Sequence, residues 1–225
     1  MEDGSEISRL APELSDLEVA LFLCLAAHQH CRIDTTDANI HDVAKELALI
    51  CTNTFGLSYS ILDCSSATSL DDFRAELLPP GEVVNVVIAK NFNHVNDNIQ
   101  REALELMHSK QLTTPAGVLE APNNFLFLPL IVRDETHPIN PHLVFVRIIR
   151  YPQTRSSNEE RPSLRRQHKN NNQLLGQLQQ LSTTVSMGAD IARYQQDIVV
   201  FLRLSRAVAG GISTRSNLYF KSFSK

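Results

Sequence analysis

Apolar and polar positions along the first 150 residues switch repeatedly between a helical and an extended period. Ser15 with Glu18 three residues on forms a capping box ahead of Leu17-Glu18-Val19-Ala20-Leu21-Phe22-Leu23, which predicts a helix running to His30. That stretch is apolar nearly all round, so it is expected inside. Thr35–Asn39 reads as a polar break. Ile40, Val43, Ala44, Leu47, Ile50 and Cys51 then recur at three- and four-residue spacing and predict a second helix stopping at Phe55-Gly56. Leu57–Cys64 reads as a strand, and a short helix from Leu70 to Leu78 is halted by Pro79-Pro80-Gly81. Val83–Ala89 is a near-continuous β-branched run, the pattern of a strand covered on both faces. Asn96–His108 carries Ile99, Ala103, Leu106 and Met107 on one helical side, and Thr113–Gly117 reads as a hairpin tip. Phe125–Val132 and Leu143–Ile149 are two further strands; Pro129 predicts a bulge or an edge position for the first.

Strands separated by helices predict an α/β fold with a mainly parallel sheet flanked by helices over residues 1–150. Residues 151–173 hold almost nothing that could be buried and read as a polar, disordered linker. Residues 174–225 read as a small helical module. Leu174, Leu175, Leu178 and Leu181 open one helix. Ile191, Tyr194, Ile198, Val199, Phe201, Leu202 and Val208 form another, ending at Gly210-Gly211.

Composition narrows the class. The chain has 225 residues, 43% hydrophobic and 20% charged, with eight Gly and ten Pro, which excludes collagen-like and wholly disordered chains. The apolar run Val19–Ala27 is far short of the ~18 residues a membrane span needs, and acids precede it (Glu13, Asp16, Glu18) where a signal peptide would be basic. A soluble intracellular, cytoplasmic protein without a membrane partner is expected. Net charge is −4 but uneven: residues 1–150 hold 10 Lys+Arg against 21 Asp+Glu, residues 151–225 hold 11 against 4. An acidic body with a basic tail suggests contact between the two or docking on something anionic, but a basic linker that is merely solvated is the preferred reading. The linker cations Arg155, Arg161, Arg165, Arg166 and Lys169 have only Tyr151 as an aromatic neighbour, so base stacking is unsupported and nucleic acid is not an expected partner.

The cysteines Cys24, Cys31, Cys51 and Cys64 include no C-x-x-C pair, and reduced buried thiols are expected. Cys24, His28, His30 and Cys31 would put three metal ligands on one face if the first helix continued, but a buried stripe with histidines at a helix C-terminus is the preferred reading. Asp63-Cys64-Ser65-Ser66 reads as an Asx or Ser turn and not as a nucleophile loop. Asp71-Asp72 read as first-turn helix acids, Pro138 and Pro141 as a rigid loop, and Arg203 and Arg206 as partners for the acidic body. No catalytic and no metal-binding residue is assigned.

Three stretches carry a family resemblance. VVIAKNFNHVNDNIQREALELMHSKQL (Val86–Leu112) resembles the Walker B strand and following helix of the magnesium-chelatase ATPase subunit and its MoxR-type relatives in the AAA+ superfamily. APNNFLFLPLIVRDETHPINPHL (Ala121–Leu143) resembles their sensor strand. RYQQDIVVFLRLSRAVAGGIS (Arg193–Ser213) is similar to their lid helix. With FGLSYSILDCSSATSLDDF, the chain resembles most a divergent group of fungal magnesium-chelatase-like proteins, over about Leu14–Lys225. The resemblance implies a P-loop NTPase-type core with a helical lid, and a homo- or hetero-oligomeric ring. It also implies a lid that continues past Gly210-Gly211, so the module is expected to be truncated or the gene model clipped.

The departures bear on activity. No G-x-x-x-x-G-K-[ST] occurs, and the phosphate loop and its helix are expected where the chain has Leu17–His30. The Walker B acids align with Ala89-Lys90, and a lysine there repels Mg²⁺. The sensor aligns with Val132. Arg147 is the nearest candidate for the arginine delivered to a neighbour's phosphate, and Arg193 lies within a turn of the lid arginine, where gapless alignment puts Gln196. The expectation is therefore a non-hydrolysing binding or assembly subunit with no cofactor. One alternative is an active magnesium-chelatase or MoxR-type ATPase using ATP and Mg²⁺ at an atypical site, for which the amides at Ser15–Glu18 are the candidate. A second is an interaction module that binds anions through its basic linker.

Overall fold

The computed structural model describes residues 15–78, 82–114, 117–132, 137, 139, 143, 146–149, 175–177, 179–180, 184–205, 217 and 221. The predicted linker 151–173, with Arg155, Arg161, Arg165, Arg166 and Lys169, lies outside them, as do Pro79-Pro80-Gly81, Pro138, Pro141, Arg206 and Gly210-Gly211. The chain falls into two units, Met1–Leu175 and Gly176–Lys225.

In the first unit, helix α1 (Asp16–Ala26) leads into strand β1 (Cys31–Thr35), then α2 (Ile40–Asn53), β2 (Tyr59–Asp63), α3 (Leu70–Leu77), β3 (Val86–Lys90), α4 (Asp97–Ser109), a hairpin of β4 (Gln111–Thr114) and β5 (Gly117–Glu120), β6 (Leu126–Val132) and β7 (Val146–Ile149). Five strands form one parallel sheet in the order β2-β3-β6-β1-β7; the hairpin is a separate antiparallel pair. The period-2 alternation of β3 and β6 sorts their side chains onto two cores. Val86, Ile88, Leu126, Leu128 and Leu130 pack with α1 and α2 on one face. Val87, Ala89, Phe127 and Ile131 pack with Phe73 and Leu77 of α3 and Ile99, Ala103 and Leu106 of α4 on the other. Three layers result, as the strand–helix alternation predicts.

Two expectations are corrected. The first helix ends at Ala26, not His30. His28 takes a left-handed φ of 50°, and the amides of His28 and Gln29 close back on the carbonyls of Leu25 and Cys24 at 3.3 and 2.8 Å, a Schellman stop built without glycine. Nor is α1 wholly interior, since Leu23 is 49% exposed. The second correction concerns Pro129. It sits at neither an edge nor a bulge but in β6, the middle strand, in register with Ala89. Even-numbered residues of β6 bond toward β3: the Leu126 amide donates to the Asn85 carbonyl, and the Leu130 carbonyl accepts from the Asn91 amide. Odd-numbered residues therefore face β1, and the recorded β1–β6 register begins at Ile33↔Leu130, just past the proline. The ring nitrogen of Pro129, which has no proton to donate, faces the side where the ladder has not begun.

At the head of α1 the capping box is present. Glu18 Oε2 accepts from the Ser15 amide at 2.7 Å, the Glu18 amide donates to Ser15 Oγ, and Glu18 Oε1 accepts from the Thr54 hydroxyl at 2.7 Å. One buried carboxylate thus ties the start of α1 to the end of α2. Glu18→Ala leaves two donors without their acceptor and is expected to cost about 2 kcal/mol, read as a lower denaturant midpoint at unchanged m-value.

The second unit contributes α5 (Ala189–Leu204), with Gln195 and Val199 buried and Ile191, Tyr194, Phe201 and Leu204 exposed. No helix among the described residues is long and apolar enough to cross a membrane.

Candidate functional site at the carboxyl edge of the sheet

Topology locates the site. From β1 the chain crosses to β2 at one edge of the sheet; from its neighbour β6 it goes to β7 at the other edge. Adjacent strands whose connections diverge leave a crevice at their carboxyl ends, the usual ligand position in open α/β sheets. The elements around it are the β1–α2 connection, the end of β6 at Val132 and, next along, the end of β3.

The β1–α2 connection is where a phosphate loop would lie, because such loops join a parallel strand to the helix after it. The expectation that placed it at Leu17–His30 is therefore corrected: α1 precedes the first strand, and Cys31–Thr35 is itself a strand. The connection is Thr36-Asp37-Ala38-Asn39, a tight turn closed by the Asn39 amide on the Thr36 carbonyl at 3.0 Å. It has no glycine and no lysine, and Asp37 adds negative charge. A four-residue turn of this kind differs from the Gly-rich loops whose successive backbone amides cradle phosphates. Asn39 supplies no side-chain cap to α2, whose first turn carries Asp42. At Ser15–Glu18 the capping box engages the Ser15 and Glu18 amides.

At the end of β3 stands Lys90, 6% exposed in a fully buried strand. It shares the α1/α2 face with Val86 and Ile88, and its register partner on β2 is Asp63. Its ammonium donates to Asp63 Oδ2 at 2.6 Å and lies 3.2 Å from His41 Nδ1 in the first turn of α2. That contact requires His41 to offer its Nδ1 lone pair, so the proton of the neutral ring is on Nε2. The Asp63 side chain is 70% exposed, which leaves its second oxygen to water. A buried cation thus stands at the carboxyl end of β3, matched by an anion of the same chain. Asn91 follows in the left-handed region (φ 53°).

Two further groups distinguish this edge. Among the described residues, the buried side-chain polar atoms without a hydrogen-bond partner are Thr35 Oγ1, at the end of β1, and both Nδ2 and Oδ1 of Asn93, in the 3-10 turn Phe92–His94 after β3. Orphaned buried groups are rare in folded chains and concentrate where a ligand or ordered water completes the pairing. Sequence reasoning missed both, because a threonine in a polar break and an asparagine in a turn carry no signal until the sheet order is known.

The other candidate residues separate. Arg147 lies on β7, opposite Arg32 of β1 in the parallel register. Arg193 is exposed on α5 of the second unit. The Cys24–His28–Cys31 face does not form, because the helix that would align it stops at Ala26. His30 instead accepts the Phe127 amide at Nδ1 (3.0 Å) and turns Nε2 toward the Met107 carbonyl (3.4 Å). Among the described residues no three His, Cys, Asp or Glu side chains come together as a metal site. Burial pushes the Cys51 and Cys64 thiols up to about 12, and a hydrogen bond with Cys24 raises Cys31, so none of these three is a nucleophile at neutral pH. Ser65 Oγ accepts from the Ala67 amide, the Ser turn that the sequence predicts. Asp72 caps α3 through Ser69, whose hydroxyl and amide hold its carboxyl below the ordinary range.

No protein-family model and no curated protein sequence matches the chain. Its fold is shared with a crystal structure described as a "putative ATPase" from Cytophaga hutchinsonii, at a TM-score of 0.64 and 16% identity, over 90% of this chain and 71% of that one.

Proposed function

We propose that the chain is an AAA+-type body of magnesium-chelatase or MoxR kinship that acts by binding and assembly, without hydrolysing nucleotide. The observation that carries this is the Lys90–Asp63–His41 group at the end of β3, where the chemistry needs acids. Hydrolysis depends on a phosphate cradle, a metal-holding carboxylate and an oriented water. The tight turn Thr36–Asn39 replaces the first, and Lys90 with Asn91 replaces the other two. Losing one oriented donor costs a rate factor of about 10²–10³, and losing all three leaves no step for the protein to accelerate. On this reading neither ATP nor Mg²⁺ is a resident cofactor. Arg147 and Arg193 then contact no nucleotide, and the partners are other subunits of a ring, of this chain or a related one. The shared fold supports the body; the kinship itself rests on the three sequence stretches.

One observation favours a second reading, binding of a nucleotide or similar small polar ligand without hydrolysis. Thr35 and Asn93 are buried, unpaired and placed on either side of the crevice strand β6. Titration calorimetry of the full chain with MgATP separates the two. We expect no heat of binding at 1 mM nucleotide and no phosphate release. Micromolar affinity without turnover supports the second reading, and turnover overturns both.

A further inference from the structure

His30 stands where the β1–β6 ladder is missing. Pro129 has no amide proton, and two residues earlier the Phe127 amide, which faces β1, donates to His30 Nδ1 at 3.0 Å. The opposite nitrogen of the same ring reaches the Met107 carbonyl near the end of α4 at 3.4 Å, and the ring edge meets Phe125 at a centroid distance of 5.8 Å and 65°. One imidazole therefore ties the amino end of β1 to the middle strand and to the helix that leads into the hairpin. Accepting at Nδ1 fixes the tautomer with the proton on Nε2 and requires the ring to be neutral.

We propose that His30 is an acid-labile latch: a proton taken up at Nδ1 replaces the acceptor of the Phe127 amide by a second donor, and the tie between β1, β6 and α4 opens while the rest of the sheet holds.

The charged groups facing the ring, Lys110 and His108 at the end of α4, both oppose that proton, and the Met107 carbonyl alone favours it. Burial is the largest influence, and the closed form takes its proton only at about 4, against 6.5 for a free imidazole. The sign follows from linkage. Above 6.5 both forms are neutral and the latch contributes in full. Between 6.5 and 4 the open form binds the proton and the closed form does not, so opening gains up to tenfold per unit of acidification, roughly 300-fold in all. Below 4 both forms are protonated and the gain stops.

Hydrogen exchange between pH 7 and 4.5, with rates corrected for intrinsic chemistry, and imidazole NMR carried down to pH 3 test this on the full chain. The expected result is loss of protection at the Phe127 amide by one to two orders of magnitude, with the Ile88 amide of β3 unchanged, and a His30 midpoint near 4. In His30→Gln, whose side-chain oxygen keeps the acceptor without a titrating proton, the Phe127 amide should be insensitive to pH. A His30 midpoint near 6.5, or unchanged Phe127 protection at pH 4.5 in the unmodified chain, overturns the proposal. Both readouts come from the unmodified protein and stand even where the variant does not fold.

Discussion

Lys90→Glu is expected to destabilise the first unit by about 3 kcal/mol and to create no ATPase activity. On the proposed function, the substitution puts an acid at the strand end where hydrolysis would need one, and so it separates a missing residue from a missing site. A carboxylate at a position 6% exposed, beside Asp63 and without the ammonium that now pairs with it, is desolvated and repelled at once. Breaking a buried pair in this way costs about 3–5 kcal/mol, and the exposure of Asp63 places the case at the lower end. For a chain of this size that is a fall in Tm of roughly 6–12 °C. Phosphate release should stay at background because the turn Thr36–Asn39 still offers no cradle. Turnover in this variant would mean that the β1–α2 connection can bind phosphate after all.

Phe127→Ala should lower stability further, by about 3–5 kcal/mol. Phe127 is fully buried on the middle strand and meets Phe92 edge to face, centroids 5.0 Å apart at 73°. Removing the ring opens a cavity between the sheet and α4 and discards an aromatic pair worth about 1 kcal/mol beyond its area. Chemical denaturation should show the midpoint falling with the slope kept. A loss under 1 kcal/mol would mean that the second core repacks freely around the gap.

Most elements were legible because each had a period and a punctuation mark. α2 has its apolar spacing and Gly56, which takes a φ of 60°. α3 has the Pro79-Pro80-Gly81 stop and α4 its apolar side, and the structure adds Ser69 and Asn96 as caps that accept helix amides. The hairpin has its turn. β1 was not legible. Cys-Arg-Ile-Asp-Thr looks half polar, yet Asp34 is buried, and Arg32 neutralises it at 2.6 Å from within the same strand. An ion pair two residues apart hides a buried strand from any reading that counts charge as exposure. Missing β1 also placed the expected phosphate loop one helix too early, and left Thr35–Asn39 read only as a polar break with no sign that Thr35 is buried at a strand end. The stop at His28 was hidden too, because left-handed backbone is sought at glycine and here falls on histidine.

Pro129 has one more consequence, for how the sheet avoids mispairing. Neighbouring parallel strands as apolar as β6 and the Val86–Ala89 stretch of β3 carry little side-chain information about alignment between them, since Leu, Ile and Val can replace one another across a shift. A one-residue slide of β6 would turn the proline nitrogen toward β3, where bonding runs unbroken from Leu126 to Leu130, and would delete a rung from its centre. The imino acid thereby acts as a keyway cut into an otherwise featureless rod, admitting one alignment and jamming the next.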